Sequence, residues 1–220
     1  MRVLVIGASG GIGTALSEEL RGKGADVVGL SRSVNGLDVT NEASIIKVLS
    51  SVDGQFDTVF VASGALEIAS FKPEKSLRAL DPTALAAQFA LNAIGPALVL
   101  KHALRFLPKD RPARFAALSA RVASIGDNAL GGWYSYRAAK AALNQLIHSA
   151  AIEVARSHPQ AVVALLHPGT VATGFGAAYI GNHPTVTPTT AARNLLSVLE
   201  GLTPADTGGF FDWAGKRISW

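Results

Sequence analysis

Val3-Leu4-Val5-Ile6 running into Gly7-Ala8-Ser9-Gly10-Gly11-Ile12-Gly13 is the stretch that decides the fold. Four consecutive apolar residues, three of them β-branched, read as a strand buried on both faces. The glycines that follow are spaced Gly-x-x-x-Gly-x-Gly, and a helical segment from Thr14 to Gly22 comes directly after. A strand-to-helix turn gathers unpaired N–H groups at the positive end of the helix, which favours a pyrophosphate. Glycine is needed there because backbone must approach the ligand without a Cβ or pass through positive φ. A glycine string alone is a weak signal. Between a strand and a helix it reads as a dinucleotide-binding turn, with Gly7, Ser9, Gly11, Ile12 and Gly13 as its candidate residues.

The rest of the chain repeats the alternation. Asp26–Leu30, Thr58–Ala62, Phe115–Leu118, Ala161–Leu166 and Gly209–Trp213 read as strands. Ile45–Val52, Tyr134–Ala155 and Thr189–Leu199 read as helices between or after them. Ser31–Gly36 reads as a turn where a further helix would have fitted. Asp81-Pro82-Thr83 is a helix start, with Pro82 near the first position, and that helix runs through Asn92 towards Phe106 with a kink expected at Gly95-Pro96. Strands alternating with helices predict an α/β fold: one doubly wound parallel sheet with helices on both faces, in a single domain over residues 1–220. Gly174 to Pro188 has the composition of a loop and is the expected substrate loop.

Composition narrows the function classes. Hydrophobic residues make up 49% and charged residues 16%, enough for a large core and too apolar for a disordered chain. There is no Cys, hence no thiolate metal site and no cysteine nucleophile. The five histidines, His102, His148, His158, His167 and His183, show no compact ligand spacing, and no metal site is expected. The formal charge is +4, but the 20 Lys and Arg are scattered without a basic block, so no nucleic-acid partner is expected. No segment reaches about 18 uninterrupted apolar residues, and the opening apolar run is too short for a signal peptide. The expectation is a soluble, cytoplasmic protein with no membrane partner.

Two further local patterns carry chemistry. After the second strand stands Ser31-Arg32-Ser33, with no acid to hold a ribose 2′-hydroxyl and an arginine suited to a 2′-phosphate. This predicts NADP(H), with NAD(H) second. Tyr136-Arg137-Ala138-Ala139-Lys140 places a phenol and an ammonium one helical turn apart. A cation close to a phenol favours the phenolate and lowers its pKa, tuning it for proton transfer. Tyr134 is close by, but it has Ala138, not a lysine, four residues on.

These motifs, with Asp38-Val39, Ala62-Ser63-Gly64, Asn92 in Leu91-Asn92-Ala93-Ile94-Gly95, and Pro168-Gly169-Thr170-Val171-Ala172-Thr173, resemble the short-chain dehydrogenase/reductase family over essentially the whole chain. Gly131-Gly132-Trp133-Tyr134-Ser135-Tyr136-Arg137 and Phe210-Phe211-Asp212-Trp213 resemble its C-factor-like branch, close to the sniffer-type carbonyl reductases. The resemblance implies that Tyr136 is the general acid in reduction and the base in oxidation. It implies that Lys140 holds the nicotinamide ribose and lowers the tyrosine pKa, and that Asn92 sits at the helix kink and holds a water of the proton relay. Asp38 and Val39 would flank the adenine. Ala62, Ser63 and Gly64 would line the cofactor, although the family usually has Asn where Ala62 stands. Pro168, Gly169, Val171 and Thr173 would pass beside the nicotinamide. Relatives commonly pair through the helices carrying Asn92 and Tyr136, which implies a homodimer or homotetramer.

One departure matters. The family holds the substrate oxygen with a hydroxyl, normally the second of two adjacent serines after the strand ending at Leu118. Here that place reads Ser119-Ala120, and alanine cannot donate. Ser124, 12 positions before Tyr136, and Ser119, at the strand end, are the two candidates to replace it, with Ser124 slightly preferred. The implied activity is reversible hydride transfer between a nicotinamide and a small carbonyl or alcohol. The alternative is a non-enzymatic NADP(H)-binding sensor or signalling protein on the same fold. A nucleotide-sugar epimerase-like activity is weaker still, because little chain follows the last strand to build a sugar pocket. No Gly-x-Ser-x-Gly elbow supports a hydrolase.

Overall fold

The computed structural model describes residues 1–179 and 184–220, so Gly181 and His183 of the sequence reading, and the middle of the expected substrate loop, lie outside the described residues. Among the described residues, six parallel strands form one sheet: β1 (Arg2–Ile6), β2 (Asp26–Leu30), β3 (Thr58–Val61), β4 (Ala113–Leu118), β5 (Ala161–His167) and β6 (Phe210–Asp212). Their order is β2-β1-β3-β4-β5-β6, so the direction of winding reverses between β1 and β3. In such sheets a crevice opens beyond the carboxyl ends of the strands at that reversal.

Among the described residues, seven α-helices connect the strands: α1 (Gly11–Gly22), α2 (Arg32–Asn35), α3 (Glu42–Ser50), α4 (Pro82–Phe89), α5 (Gly95–Ala103), α6 (Tyr134–Ser157) and α7 (Pro188–Gly201). Alternate residues of each central strand feed two cores. Leu4, Ile6, Val59, Val61, Phe115, Ala117, Val163 and Leu165 pack with Leu143 and Ile147 of α6 and Val99 of α5. Val3, Val5, Phe60, Ala116, Leu118, Val162, Ala164 and Leu166 pack on the other face with Leu16 and Leu20 of α1 and Leu195 and Leu199 of α7. This explains why the strands are apolar throughout rather than alternating.

Three local readings are refined. α1 begins at Gly11, inside the glycine turn, because Gly10 is extended and serves as the N-cap. Ser31–Gly36 is not a bare turn: Ser31 accepts from the Val34 N–H and caps the four-residue α2, which Gly36 closes at φ +68°. The kink expected at Gly95-Pro96 is a π-helical turn, Ala90–Ile94, directly ahead of those residues. Pro96 has no N–H to give the Asn92 carbonyl, so the helical ladder cannot continue unaltered. From Pro82 to Phe106 this kinked helix is long and apolar enough to cross a membrane by length and composition. It lies instead against α6 and α3 and contributes Ala93, Val99 and Ala103 to the core.

Candidate active site

The candidate phosphate-binding turn is built by close approach. Gly7 sits at φ +83°, and a Cβ on it would lie 2.8 Å from the Ser63 N and 2.9 Å from the Ala62 carbonyl carbon. The turn after β1 therefore packs directly on the strand end of β3, leaving no room for a side chain. Gly10 gives α1 no side-chain acceptor, so the first-turn N–H groups point out uncapped past the exposed Ser9, Gly10 and Gly11. Ile12 is half-buried and Gly13 buried beneath the Gly7 carbonyl. A Cβ on Gly11 would meet the Thr173 side chain at 2.6 Å, so the segment after β5 comes down onto the helix start. The Ser63 Oγ is buried with no partner. Uncapped N–H groups, an orphaned hydroxyl and a side-chain-free cradle together fit a dinucleotide phosphate.

At the outer end of the crevice, Arg32 is exposed at the start of α2. The Asp38 carboxylate accepts from the Thr40 hydroxyl at 2.7 Å and the Thr40 N–H at 2.9 Å. These bonds, with a smaller contribution from the Arg32 charge, hold its pKa below the usual carboxylate range. Val39 is buried against Gly95, whose missing Cβ would stand 2.8 Å from the Val39 carbonyl oxygen.

The candidate proton-transfer residues Asn92, Tyr136 and Lys140 are buried. Asn92, fully buried in the π turn, donates its amide to the Ala65 carbonyl (2.8 Å) and to Gln88 Oε1 (2.6 Å), and accepts from the Ala65 N–H (3.2 Å). Gln88 in turn donates to the Leu66 carbonyl at 2.7 Å. A Cβ on Gly64 would lie 2.8 Å from Asn92 Oδ1 and 3.6 Å from Lys140 Nζ, so this glycine lets the end of β3 slide between the two side chains. Lys140 Nζ donates to the Leu118 carbonyl at 2.9 Å and stands 5.9 Å from the Tyr136 ring centroid. Both residues are buried, Lys140 at 3% and Tyr136 at 5% exposure. The Tyr136 ring meets Trp133 and Phe175 edge-on at 6.3 and 6.1 Å. Tyr134 lies at the surface, 36% exposed.

The electrostatics correct one expectation. Lys140 was expected to lower the Tyr136 pKa; burial instead raises it and keeps the phenol protonated. Burial also lowers Lys140, to about 7. Desolvation disfavours the charged form of each.

The two serine candidates are held differently. Ser119 donates to Asn144 Oδ1 on α6 at 2.7 Å. Ser124 is buried and accepts from the Asp127 N–H at 3.1 Å, which leaves its own proton available. Beyond β5, the Val171–Val186 bridge holds the Pro168–Thr173 segment, and Gly169, at φ +78°, lies against the Trp213 ring. Among the described residues no cluster of His, Asp or Glu could hold a metal ion. Gln88, Asn144 and Glu74 were missed in the sequence. Asn144 had a signal, continuing the Tyr136–Lys140 stripe by another four residues; Gln88 had a weaker one, four before Asn92; Glu74 had none.

Comparison with known proteins agrees with this architecture. Residues 1–181 match the short chain dehydrogenase family. The chain is 30% identical to 1-hydroxy-2-glutathionyl-2-methyl-3-butene dehydrogenase of Rhodococcus sp. (strain AD45), over 99% of both chains. It is 35% identical to the C-signal protein of Myxococcus xanthus over 64% of this chain and 81% of that one. A short-chain dehydrogenase/reductase of Burkholderia multivorans, solved with bound NADP, superimposes with a TM-score of 0.84 over 100% of this chain and 99% of that one, at 26% identity. With a glycine turn at the sheet reversal and a buried Tyr-x-x-x-Lys pair, the family match across most of the length leads to one conclusion: the chain belongs to the short-chain dehydrogenase/reductase family.

Proposed function

We propose that the protein is an NADP(H)-dependent carbonyl reductase-like enzyme in which Tyr136 is the proton donor. The observation that carries this reading is the buried Tyr136–Lys140 pair, with Gly64 packed between the lysine and Asn92. Gly7, Ser9, Gly11, Ile12 and Gly13 would hold the pyrophosphate, Ser63 would add a hydroxyl, and Arg32 would take the 2′-phosphate. Asp38 and Val39 would flank the adenine. Ala62 to Gly64, with Pro168, Gly169, Val171 and Thr173, would line the nicotinamide end. NADPH, when bound, supplies the hydride.

The chain's own residues then manage the proton. A phenol kept protonated by burial is the form that can give a proton to a carbonyl oxygen as it gains negative charge. Lys140, poised near neutrality, would hold the nicotinamide ribose and stabilise the phenolate left behind. Ser124 would donate to the substrate oxygen in place of the hydroxyl lost at Ala120. Asn92, its side chain fixed by Ala65 and Gln88, would present its carbonyl to a proton-relay water. The relative with a glutathionyl substrate in its name and the NADP-bound neighbour support the reaction class and the cofactor.

A second reading, an NADP(H)-binding signalling protein without turnover, is favoured by one observation: Ala120 has no hydroxyl and the adjacent Ser119 is committed to Asn144. One experiment separates the two: NADPH and NADH oxidation against a panel of aldehydes, ketones and diketones, with Tyr136→Phe in parallel. Turnover abolished by Tyr136→Phe with NADPH still bound establishes the reductase. Tight NADPH binding with no turnover on any carbonyl establishes the signalling reading.

A further inference from the structure

Glu74 is a buried carboxylate, 5% exposed, and no lysine or arginine pairs with it among the described residues. Burying a carboxylate is costly unless its lone pairs are taken up. Here one distant residue takes them: Oε2 accepts from the Ser135 N–H at 3.2 Å, and Oε1 receives the Ser135 hydroxyl. The Glu74 backbone carbonyl also accepts from the Trp133 N–H. Residues 133 and 135, on either side of the start of α6, are thus both held from the segment between β3 and α4.

The start of α6 needs such help. Gly131, Gly132 and Trp133 are consecutively left-handed, at φ +65°, +67° and +52°. Trp133 is the N-cap and offers no side-chain acceptor to the first-turn N–H groups. An uncapped first turn frays. Tyr136 is the third residue of that turn, and the Trp133 indole rests edge-on against its ring. The Glu74 carboxylate does from outside what an N-cap side chain does locally, and its charge sits at the positive end of the helix. The remainder of α6 does not depend on it, because Leu143, Ile147, Ala151 and Val154 are set in the core.

We propose that Glu74 is a positioning residue that caps α6 from the β3–α4 segment and thereby fixes where the Tyr136 hydroxyl stands. The proposal rests on the reading of Tyr136 as proton donor. Its test compares Glu74→Ala, Glu74→Asp and Glu74→Gln by NADPH-dependent reduction of the best carbonyl found and by amide hydrogen exchange. Glutamine can accept from the Ser135 N–H through its oxygen and donate to the Ser135 hydroxyl, which works in either direction, so it should restore the cap. Alanine lacks the acceptor and aspartate is one methylene short.

The expected result is a kcat about tenfold or more below wild type for Ala and Asp, since small misplacements of a reacting group cost that much. KM for NADPH should stay within about twofold, because the phosphate turn is remote, and Gln should stay within about threefold of wild type in both constants. Exchange should quicken at residues 133–137 in Ala and Asp only, with residues 143–154 unchanged. Unaltered exchange at 133–137 in folded Ala or Asp, or quickened exchange with kcat intact, overturns the proposal; should Ala fail to fold, Asp against Gln decides it. If wild type turns over no carbonyl, the reading of Tyr136 fails, and the exchange comparison alone decides whether Glu74 caps the helix.

Discussion

Ser119 gives its hydroxyl proton to Asn144 on α6, 2.7 Å away, and both side chains are buried. The serine at the end of β4 is therefore tied to the helix behind it, and its neighbour Ala120 has nothing to donate. Ser119→Ala should leave kcat/KM within about threefold of wild type while lowering stability by about 1–3 kcal/mol, because Asn144 Oδ1 loses its partner and its Nδ2 is already unpaired. Ser124→Ala should lower kcat/KM about a hundredfold, the loss of one donor to a developing oxyanion. Steady-state kinetics beside urea unfolding checks both. An inactive, stable Ser119→Ala would reverse the assignment.

Ala120→Ser is the complementary test. With Ser124 already donating to the substrate oxygen, a hydroxyl restored at the end of β4 should change kcat/KM by no more than about threefold. A gain of about tenfold or more, the worth of part of an oxyanion donor, would mean that the oxygen lacks a donor in the wild type and would remove Ser124 from that role.

Arg32 is exposed and lies outside the fold's cores, so its replacement should not disturb the fold. Arg32→Ala should raise KM for NADPH by about tenfold or more while leaving KM for NADH within about twofold, since a charge-assisted bond to a 2′-phosphate is worth about 1.5–3 kcal/mol. Equal changes for the two cofactors would remove Arg32 from the 2′-phosphate site.

Gly7→Ala combines an unfavourable φ of +83° with a methyl 2.8 Å from the Ser63 N. Left-handed backbone and overpacking together should cost about 2–4 kcal/mol, read from the urea midpoint. Gly22→Ala, at the end of α1 with nothing within 4 Å, is the control and should be neutral or stabilising. A Gly7→Ala protein as stable as wild type would contradict the close packing of the turn on β3.

His167, paired across the sheet with Asp212, is held neutral: burial first, then the Arg121 charge, lower its pKa from 6.5 to about 4, against the opposing pull of Asp212. Between those two values the unfolded chain binds a proton that the folded chain does not, so stability falls as pH falls from 6.5 towards 4. The contribution is about 3 kcal/mol at most. His167→Gln should flatten that part of the stability–pH curve, and an unchanged slope would show that the imidazole protonates freely in the folded protein.

Much of this protein is written locally. The strand–glycine–helix start, the apolar strands and the i, i+4 spacing of Tyr136 and Lys140 each depend on a few neighbouring residues, so the doubly wound sheet and the pairing of phenol with ammonium could be read directly from the sequence. Even Ser31-Arg32-Ser33 after β2 was in view, because a crevice at the sheet reversal follows from strand order. The remainder was settled by contacts between distant segments. Ser119 turns to Asn144, 25 residues on; Asn92 is fixed by Ala65, 27 residues back; Glu74 reaches Ser135 across 61. The protonation of Tyr136 was also a tertiary outcome. The sequence showed the lysine that attracts a phenolate but not the burial that opposes it, and desolvation depends on the whole surrounding fold.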